Sequence, residues 1–361
     1  MVSVAVLSCF RAASAPVDLA VTLQPLVQQY QLPGAVGAII HGSQVVALGS
    51  TGVRKIGEPI PFLSGDIIHL GSDTKAMTAL LIGKLIDKRR LTFNSTMSEI
   101  FPDLAAEMDP QMAKVTVRNL LDHNAGFAHD LDWWELNATR SSLPAQRRLA
   151  VKKALSAPPS HPIGTFFYSN VSFVLLGAII EAKTGISWEQ EIQEELFKPL
   201  HMTTAGFGPP GTQGMVDQPW GHVLDADKLK PVHNDNARVM APAGTVHCSI
   251  VDWSHFVAEI LRGEQGHPTL VSPATFKALI TPVSGQDYAG GWIVTERPWA
   301  GGRTLTHSGS NTTWFCTVWI APNKDFAVLI AINSGANPVG KAADDGIGRL
   351  IKLNSTLATN P

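Results

Sequence analysis

Ile67-Ile68-His69-Leu70-Gly71-Ser72-Asp73-Thr74-Lys75, continued by Ala76-Met77-Thr78-Ala79-Leu80-Leu81-Ile82-Gly83-Lys84-Leu85-Ile86, is the stretch whose reading decides the fold. A short apolar run ends at Gly71, and a helical pattern begins at Ser72. Serine is a favoured N-cap, and Asp73 complements the positive end of the helix. From Ala76 to Ile86 the pattern is apolar almost all round, which predicts a helix buried on every side. Apart from Lys84, charges return only at Asp87, Lys88, Arg89 and Arg90. Residues three apart share a helix face, so Lys75 can reach the Ser72 hydroxyl. A capping serine with a lysine that snorkels to water is the plain alternative.

Before this stretch, Val17 to Gln31 reads as an amphipathic helix interrupted at Pro25. Ala35 to Ile40 and Gln44 to Leu48 read as strands joined at His41-Gly42-Ser43, and Ile67 to Leu70 as a strand feeding the helix. After it, helices are expected over Val115 to His123, Leu143 to Ser156, Asn170 to Thr184 with Gly185 as C-cap, and Trp188 to Leu196. Gly206 to Ala243 is rich in Gly, Pro, Asp and Asn and reads as long loops. The last third holds a helix over Val251 to Arg262 with a Ser249-x-x-Asp252 cap. Strands follow at Gly290 to Val294, Arg303 to His307, Thr313 to Ile320 and Phe326 to Ile332, then a closing helix, Asp344 to Leu353. The expected fold class is α+β: an antiparallel sheet flanked by helices and built from both chain ends, with an all-helical insertion. The expected division is 1–90 with 235–361 as the sheet domain and 91–234 as a mainly helical one, with the active site in the cleft between them.

The 361 residues are 45% hydrophobic and 16% charged, a well-cored chain less charged than average. The formal net charge of -2 gives no reason to expect nucleic acid or an anionic membrane as partner. No apolar run reaches the ~18 residues of a membrane-spanning helix. Cys9, Cys248 and Cys316 are far apart and odd in number, which suits buried apolar residues better than a disulfide framework or metal site. The apolar start, Met1 to Phe10, with Ala13-Ser14-Ala15 behind it, lacks a basic residue ahead of the apolar part and reads as an ordinary N-terminal segment. A signal remnant is the alternative, so a cytoplasmic and a periplasmic or secreted location both stay open.

Three motifs carry chemistry. Ser72-x-x-Lys75 is the only Ser-x-x-Lys in the chain, although about one is expected by chance. A serine hydroxyl needs a neighbouring base, and lysine can serve if burial lowers its pKa. Tyr168-Ser169-Asn170 opens the Asn170 helix; Tyr168 would be a phenolate base if a nearby Lys⁺ depressed its pKa, or else a core tyrosine. His307-Ser308-Gly309-Ser310 ends a strand whose edge could bind substrate through backbone hydrogen bonds, with His307 binding or polarising it. The chain lacks the Gly-x-Ser-x-Gly elbow and the His-Glu-x-x-His zinc motif, and no metal or cofactor is expected. Among nine tryptophans, Trp133, Trp134 and Trp220 are candidates to line an apolar acyl pocket.

The order Ser-x-x-Lys, Tyr-x-Asn, His-x-Gly resembles the serine β-lactamase and penicillin-binding protein superfamily, in particular its class C branch and the family VIII carboxylesterases. Leu120-Leu121-Asp122-His123-Asn124-Ala125-Gly126 is similar to a further stretch of that family. The resemblance implies Ser72 as acylated nucleophile, with Lys75 and Tyr168 sharing general-base and proton-shuttle duties. It implies Asn170 in contact with substrate or Lys75, His307 and Gly309 in substrate binding, and an oxyanion hole from the N–H groups of Ser72 and Ser310. Class C β-lactamases carry Lys-Thr-Gly as the third motif, and His307 is a weaker anchor for an anion. The expected activity is therefore a serine carboxylesterase working through an acyl-enzyme on short-chain esters, with weak β-lactam hydrolysis as a side activity. A class C-like β-lactamase, a D-alanyl-D-alanine carboxypeptidase or D-aminopeptidase, and a penicillin-sensing domain without turnover are the alternatives. The expected partner is a small-molecule ester or amide; oligomeric state is not readable.

Overall fold

The structure, a computed structural model, describes residues 15–357. The expectations for Met1 to Ser14, Cys9 included, lie outside them. The strands in chain order are β1 (Val17–Asp18), β2 (Gly34–His41), β3 (Gln44–Gly52), β4 (Ile67–His69), β5 (Gly206–Phe207), β6 (Gly221–Asp225), β7 (Lys228–Val232), β8 (Val246–Ser249), β9 (Tyr288–Ala289), β10 (Trp292–Arg297), β11 (Gly302–Ser310), β12 (Phe315–Ala321) and β13 (Phe326–Ile332). Eight form one sheet in the order β1-β3-β2-β13-β12-β11-β10-β9, antiparallel except at β1–β3. The mixed α+β architecture, with its sheet drawn from both chain ends, is the one expected.

Strand β13 explains why this sheet is central. Every residue of it is buried. Ala327, Leu329 and Ala331 join one core, whereas Phe326, Val328, Ile330 and Ile332 join the other, as the two-residue period of a strand requires. On the second side Leu19, Leu23 and Leu26 meet Ala342, Ile347 and Leu350, so helices Ala20–Gln29 and Val339–Leu357 cover that face. Helix Ile250–Glu264 covers the other. Full burial of each such Leu or Ile side chain stabilises by roughly 1.5–3 kcal/mol.

Helix Thr74–Asp87 is buried nearly all round, against helices Asn170–Thr184, Pro273–Leu279 and Ala241–Gly244. Helices Leu143–Ser156 and Asn170–Thr184 have the expected bounds, the latter ended by Gly185 at φ +82. Asp252 N–H donates to Ser249 Oγ at 3.1 Å, the expected cap. Cys248 and Cys316 are buried and unbridged. No single helix among the described residues is long and apolar enough to cross a membrane.

Two expectations need correction. Ile67–His69 does not join the main sheet; it pairs with β8, which also pairs with β5, in a separate three-stranded sheet. Gly206 to Ala243 is not all loop, because β6 and β7 form a hairpin within it. Its two-residue turn is Ala226-Asp227, both at positive φ (45° and 64°). Such a turn normally announces itself by Asn-Gly or Asp-Gly, and this one carries no glycine.

Candidate active site

Ser72 sits where β4 hands over to the buried helix. Gly71–Asp73 forms one 3₁₀ turn, and the α-helix starts at Thr74. The expected Ser72 cap is absent. Neither helical segment has a side-chain cap, because Leu70 and Asp73, the residues ahead of them, are already helical rather than extended. The hydroxyl of Ser72 is thereby left for other partners. Asp73 is turned inward, where its carboxylate meets His307 Nδ1 at 2.9 Å and Cys316 Sγ at 3.0 Å.

Lys75 is fully buried, with its Nζ 2.8 Å from Asn170 Oδ1, 2.8 Å from the Ala243 carbonyl and 3.1 Å from Ser72 Oγ. Burial lowers its pKa to about 7, against the opposing pull of Asp130 and Asp73. A neutral amine has two N–H donors and one lone pair. The Ala243 carbonyl can only accept. Asn170 Oδ1 is fixed as an acceptor because Nδ2 of the same amide donates to Asp130 Oδ1 at 2.9 Å. These two consume both N–H groups, so the lone pair of neutral Lys75 is directed at the Ser72 hydroxyl. That is the geometry of a general base and its nucleophile.

Tyr168 and Asn170 are positioned by the Leu120 to Gly126 stretch and the residues after it. Phe167 N–H donates to the His123 carbonyl at 2.7 Å, Ser169 N–H to His123 Nδ1 at 3.2 Å, and Asn170 N–H to the His129 carbonyl at 2.8 Å. The His123 ring, kept neutral chiefly by burial, packs 4.4 Å from the Tyr168 ring. The condition for a Tyr168 phenolate, a nearby Lys⁺ that depresses its pKa, is not what this environment supplies. Burial raises its pKa well above the ordinary value, a hydrogen bond with Ser72 opposes only in part, and the charges of Asp73 and Asp130 raise it further. Tyr168 is a neutral hydroxyl beside Ser72, suited to relay a proton rather than to hold one off.

The third motif contributes backbone. β11 pairs with β10 only as far as Thr306, so from His307 to Ser310 one edge of the strand is free. Glycine is required twice where this edge meets Ser72. A Cβ on Gly309 would lie 1.9 Å from the Leu70 carbonyl, and one on Gly71, at φ +50, would lie 2.4 Å from Ser310 N. The N–H of Ser310 is thus brought beside the Gly71-Ser72 backbone. The side chain of His307 goes the other way. It is buried, with Nδ1 on Asp73 and Nε2 3.2 Å from the Tyr288 hydroxyl, and is not among the residues that line the cleft.

The cleft holds about 610 Å³ and is walled by Ser72, Tyr168, Asn170 and the Ser308-Gly309-Ser310 edge. Trp133 and Trp134 line it; Trp220 does not, its indole N–H being tied to the Met215 carbonyl. No group of three or more His, Cys, Asp or Glu residues suited to a metal exists among the described residues. Sequence reading missed Asp130, Ala243, Tyr288 and Asp235. Ala243 acts through its carbonyl, which no side-chain motif reveals. Asp130 stands next to His129, and only its bonds to Asn170 and Trp133 mark it.

A family model described as Beta-lactamase matches residues 19–351. Among curated proteins the chain is similar to "Protein flp" of Staphylococcus aureus (strain N315), 24% identical over 325 residues, which cover 88% of this chain and 63% of that protein. It is similar also to "Penicillin-binding protein 4" of Amycolatopsis lactamdurans, 28% identical over 175 residues, 48% of this chain and 44% of the other. The chain thus spans under two thirds of the length of these relatives. Among solved structures, the octameric penicillin-binding protein homologue from Pyrococcus abyssi superposes with a TM-score of 0.69 at 24% identity, covering 88% of this chain and 73% of that one. A beta-lactamase from Sulfitobacter sp. EE-36 gives 0.73 at 20% identity, covering 94% and 97%. At these identities the two likenesses speak for the fold alone.

Proposed function

The chain belongs to the Beta-lactamase family of serine hydrolases, and from that premise we propose that it is a carboxylesterase acting on short-chain esters through an acyl-enzyme on Ser72. The observation that carries this reading is the hydrogen-bond count at Lys75, whose lone pair is left facing Ser72 Oγ at 3.1 Å. In acylation Ser72 Oγ bonds to the ester carbonyl carbon as its proton passes to Lys75 Nζ. The oxyanion is held by the N–H groups of Ser72 and Ser310, a stabilisation typically worth ~3–4 kcal/mol per donor. The carbon–oxygen bond to the alcohol then breaks, and the leaving oxygen takes the proton from Lys75 through the Tyr168 hydroxyl. Water repeats the sequence on the acyl-enzyme, releasing the acid and restoring Ser72.

The preference for an ester over a β-lactam or a carboxylate-ended peptide is supported by charge. The residues lining the cleft include Asp130 and Asp235 but no Lys or Arg. His307, in the place of the class C lysine, is buried on Asp73 and offers no anchor to an anion. Turnover of p-nitrophenyl butyrate and nitrocefin, measured side by side, tests the reading. The ester is expected to be hydrolysed with the higher kcat/KM; faster nitrocefin turnover would overturn it.

A further inference from the structure

Gly348 stands in the middle of helix Val339–Leu357, where glycine is disfavoured because it has more backbone freedom to lose on folding than any other residue. Packing does not account for it. Its φ is outside the left-handed region, and a Cβ built on it would meet no atom within 4 Å. One on Gly346, in the same helix, would lie 2.4 Å from Ile330 Cδ1. Gly348 instead lines a cavity of about 540 Å³, which a side chain at this position would narrow. Phe326, in the wall of that cavity, belongs to the second core, across β13 from the core that holds helix Thr74–Asp87. The cavity is therefore on the face of the main sheet turned away from Ser72.

Its lining joins an apolar floor to a basic rim. Buried Phe326 and half-buried Trp299 and Ile351 form the floor, the Trp299 ring lying 5.8 Å from the rings of Phe326 and Trp319. Exposed Lys324, from the turn before β13, and exposed Lys352, from the helix, form the rim. Neither lysine is ion-paired with another described residue. Asp325, the acidic neighbour of Lys324, accepts from Gln265 Nε2 at 2.6 Å, and among the described residues no Asp or Glu lines the cavity. His41 adds a third basic side chain, its Nε2 2.6 Å from Asn354 Oδ1. Two unpaired cations beside an aromatic floor are complementary to a molecule with an apolar body and one negative end. The Ser72 cleft has the opposite character, with Asp130 and Asp235 in its lining and no Lys or Arg.

We propose that this cavity is a binding site, remote from the reacting centre, for a carboxylic acid with an apolar body. The body lies against Trp299, Phe326 and Ile351 in the space that Gly348 leaves open, and the carboxylate meets Lys324 and Lys352. The site uses no residue of the Ser72 cleft and does not depend on the acyl-transfer reading.

Calorimetric titration of the full chain with octanoate at about pH 7.5, where a carboxylic acid is ionised, tests the proposal. Octylamine, a cation at that pH, is the control for charge. Octanoate is expected to bind saturably, and octylamine at least about tenfold more weakly, because a like charge at the rim disfavours it. Two changes then locate the site. Lys324→Glu with Lys352→Glu reverses the rim, and Gly348→Phe fills the floor; each should weaken octanoate at least about tenfold, with thermal melts confirming the fold. If Gly348→Phe does not fold, Gly348→Leu replaces it. Absence of saturable octanoate binding, or equal binding of octylamine, overturns the proposal. Octanoate binding that survives either change in a folded variant also overturns it, since a carboxylate held in the Ser72 cleft would be unmoved by both.

Discussion

Asn170 Oδ1 lies 2.8 Å from Lys75 Nζ, and the opposite end of the same amide is held by Asp130. The amide is locked in one orientation, so it accepts from Lys75 without adding charge. Asn170→Asp replaces it with a carboxylate, and an opposite charge at such a distance favours the protonated lysine by roughly 1–3 pKa units. With the neutral amine as the proposed base, activity of the unaltered protein should rise with pH through about 7. In Asn170→Asp the rise should come at least about one unit later. A kcat/KM profile with an unmoved acidic limb would refute this role for Asn170.

Burial of Lys75 also makes a stability prediction. Its pKa is about 7 when folded against an ordinary value of 10.5, so between these values the unfolded chain binds more protons. This group's contribution therefore grows more favourable as pH rises from about 7 towards 10.5, and its penalty is fully present below 7. Lys75→Met removes it. The Tm of the variant relative to the unaltered protein should fall steadily between pH 7 and pH 10, whatever its absolute offset. A pH-independent difference in thermal melts would mean that Lys75 is not depressed.

Tyr168→Phe should lower kcat by roughly 10²-fold or more with little change in KM, the loss expected of a positioned proton carrier. Because Tyr168 is neutral, the unaltered enzyme should show no acidic limb assignable to tyrosine ionisation. A pure KM effect on p-nitrophenyl butyrate hydrolysis would make Tyr168 a binding residue instead.

Gly71→Ala should cost activity by displacing Ser310, whose N–H stands where a Cβ at 71 would intrude. Loss of one oxyanion donor typically costs about 10²–10³ in kcat. Steady-state kinetics would check this, with circular dichroism to confirm the fold; near-normal kcat in a folded variant would remove Ser310 from the oxyanion hole.

His307→Ala should destabilise rather than weaken substrate binding, since the ring holds Asp73 and meets Tyr288 behind the cleft. Hydrogen bonds to charged groups are worth roughly 1.5–3 kcal/mol, and a loss on that scale should appear in urea unfolding. A raised KM at unchanged stability would restore His307 to the substrate surface.

What could be read from residues alone was whatever local pattern decides. Asn170–Thr184 was legible because its apolar run ends on Gly185, and β13 because it is continuously apolar between turn signals. Ser72 and Lys75 were legible because three residues of helix bring them together. The protonation state of Tyr168 was not, since it depends on burial and on Asp73 and Asp130, which the fold delivers. The direction of His307 was equally hidden. Its partner Asp73 is 234 residues away, and the pairing chose the buried side of the strand. Asp235 looked like a loop aspartate, because only the fold brings His69 and Asn311 against it at the cleft wall.

The central claim is that Ser72, with Lys75 as its base, carries the acyl group. Rapid quenching of the protein with p-nitrophenyl butyrate, followed by peptide mass spectrometry, tests it most directly. A butyryl adduct on Ser72, formed with a burst of p-nitrophenol and lost in Ser72→Ala together with turnover, is the predicted result. Retained turnover in Ser72→Ala, or an adduct on another residue, would contradict it.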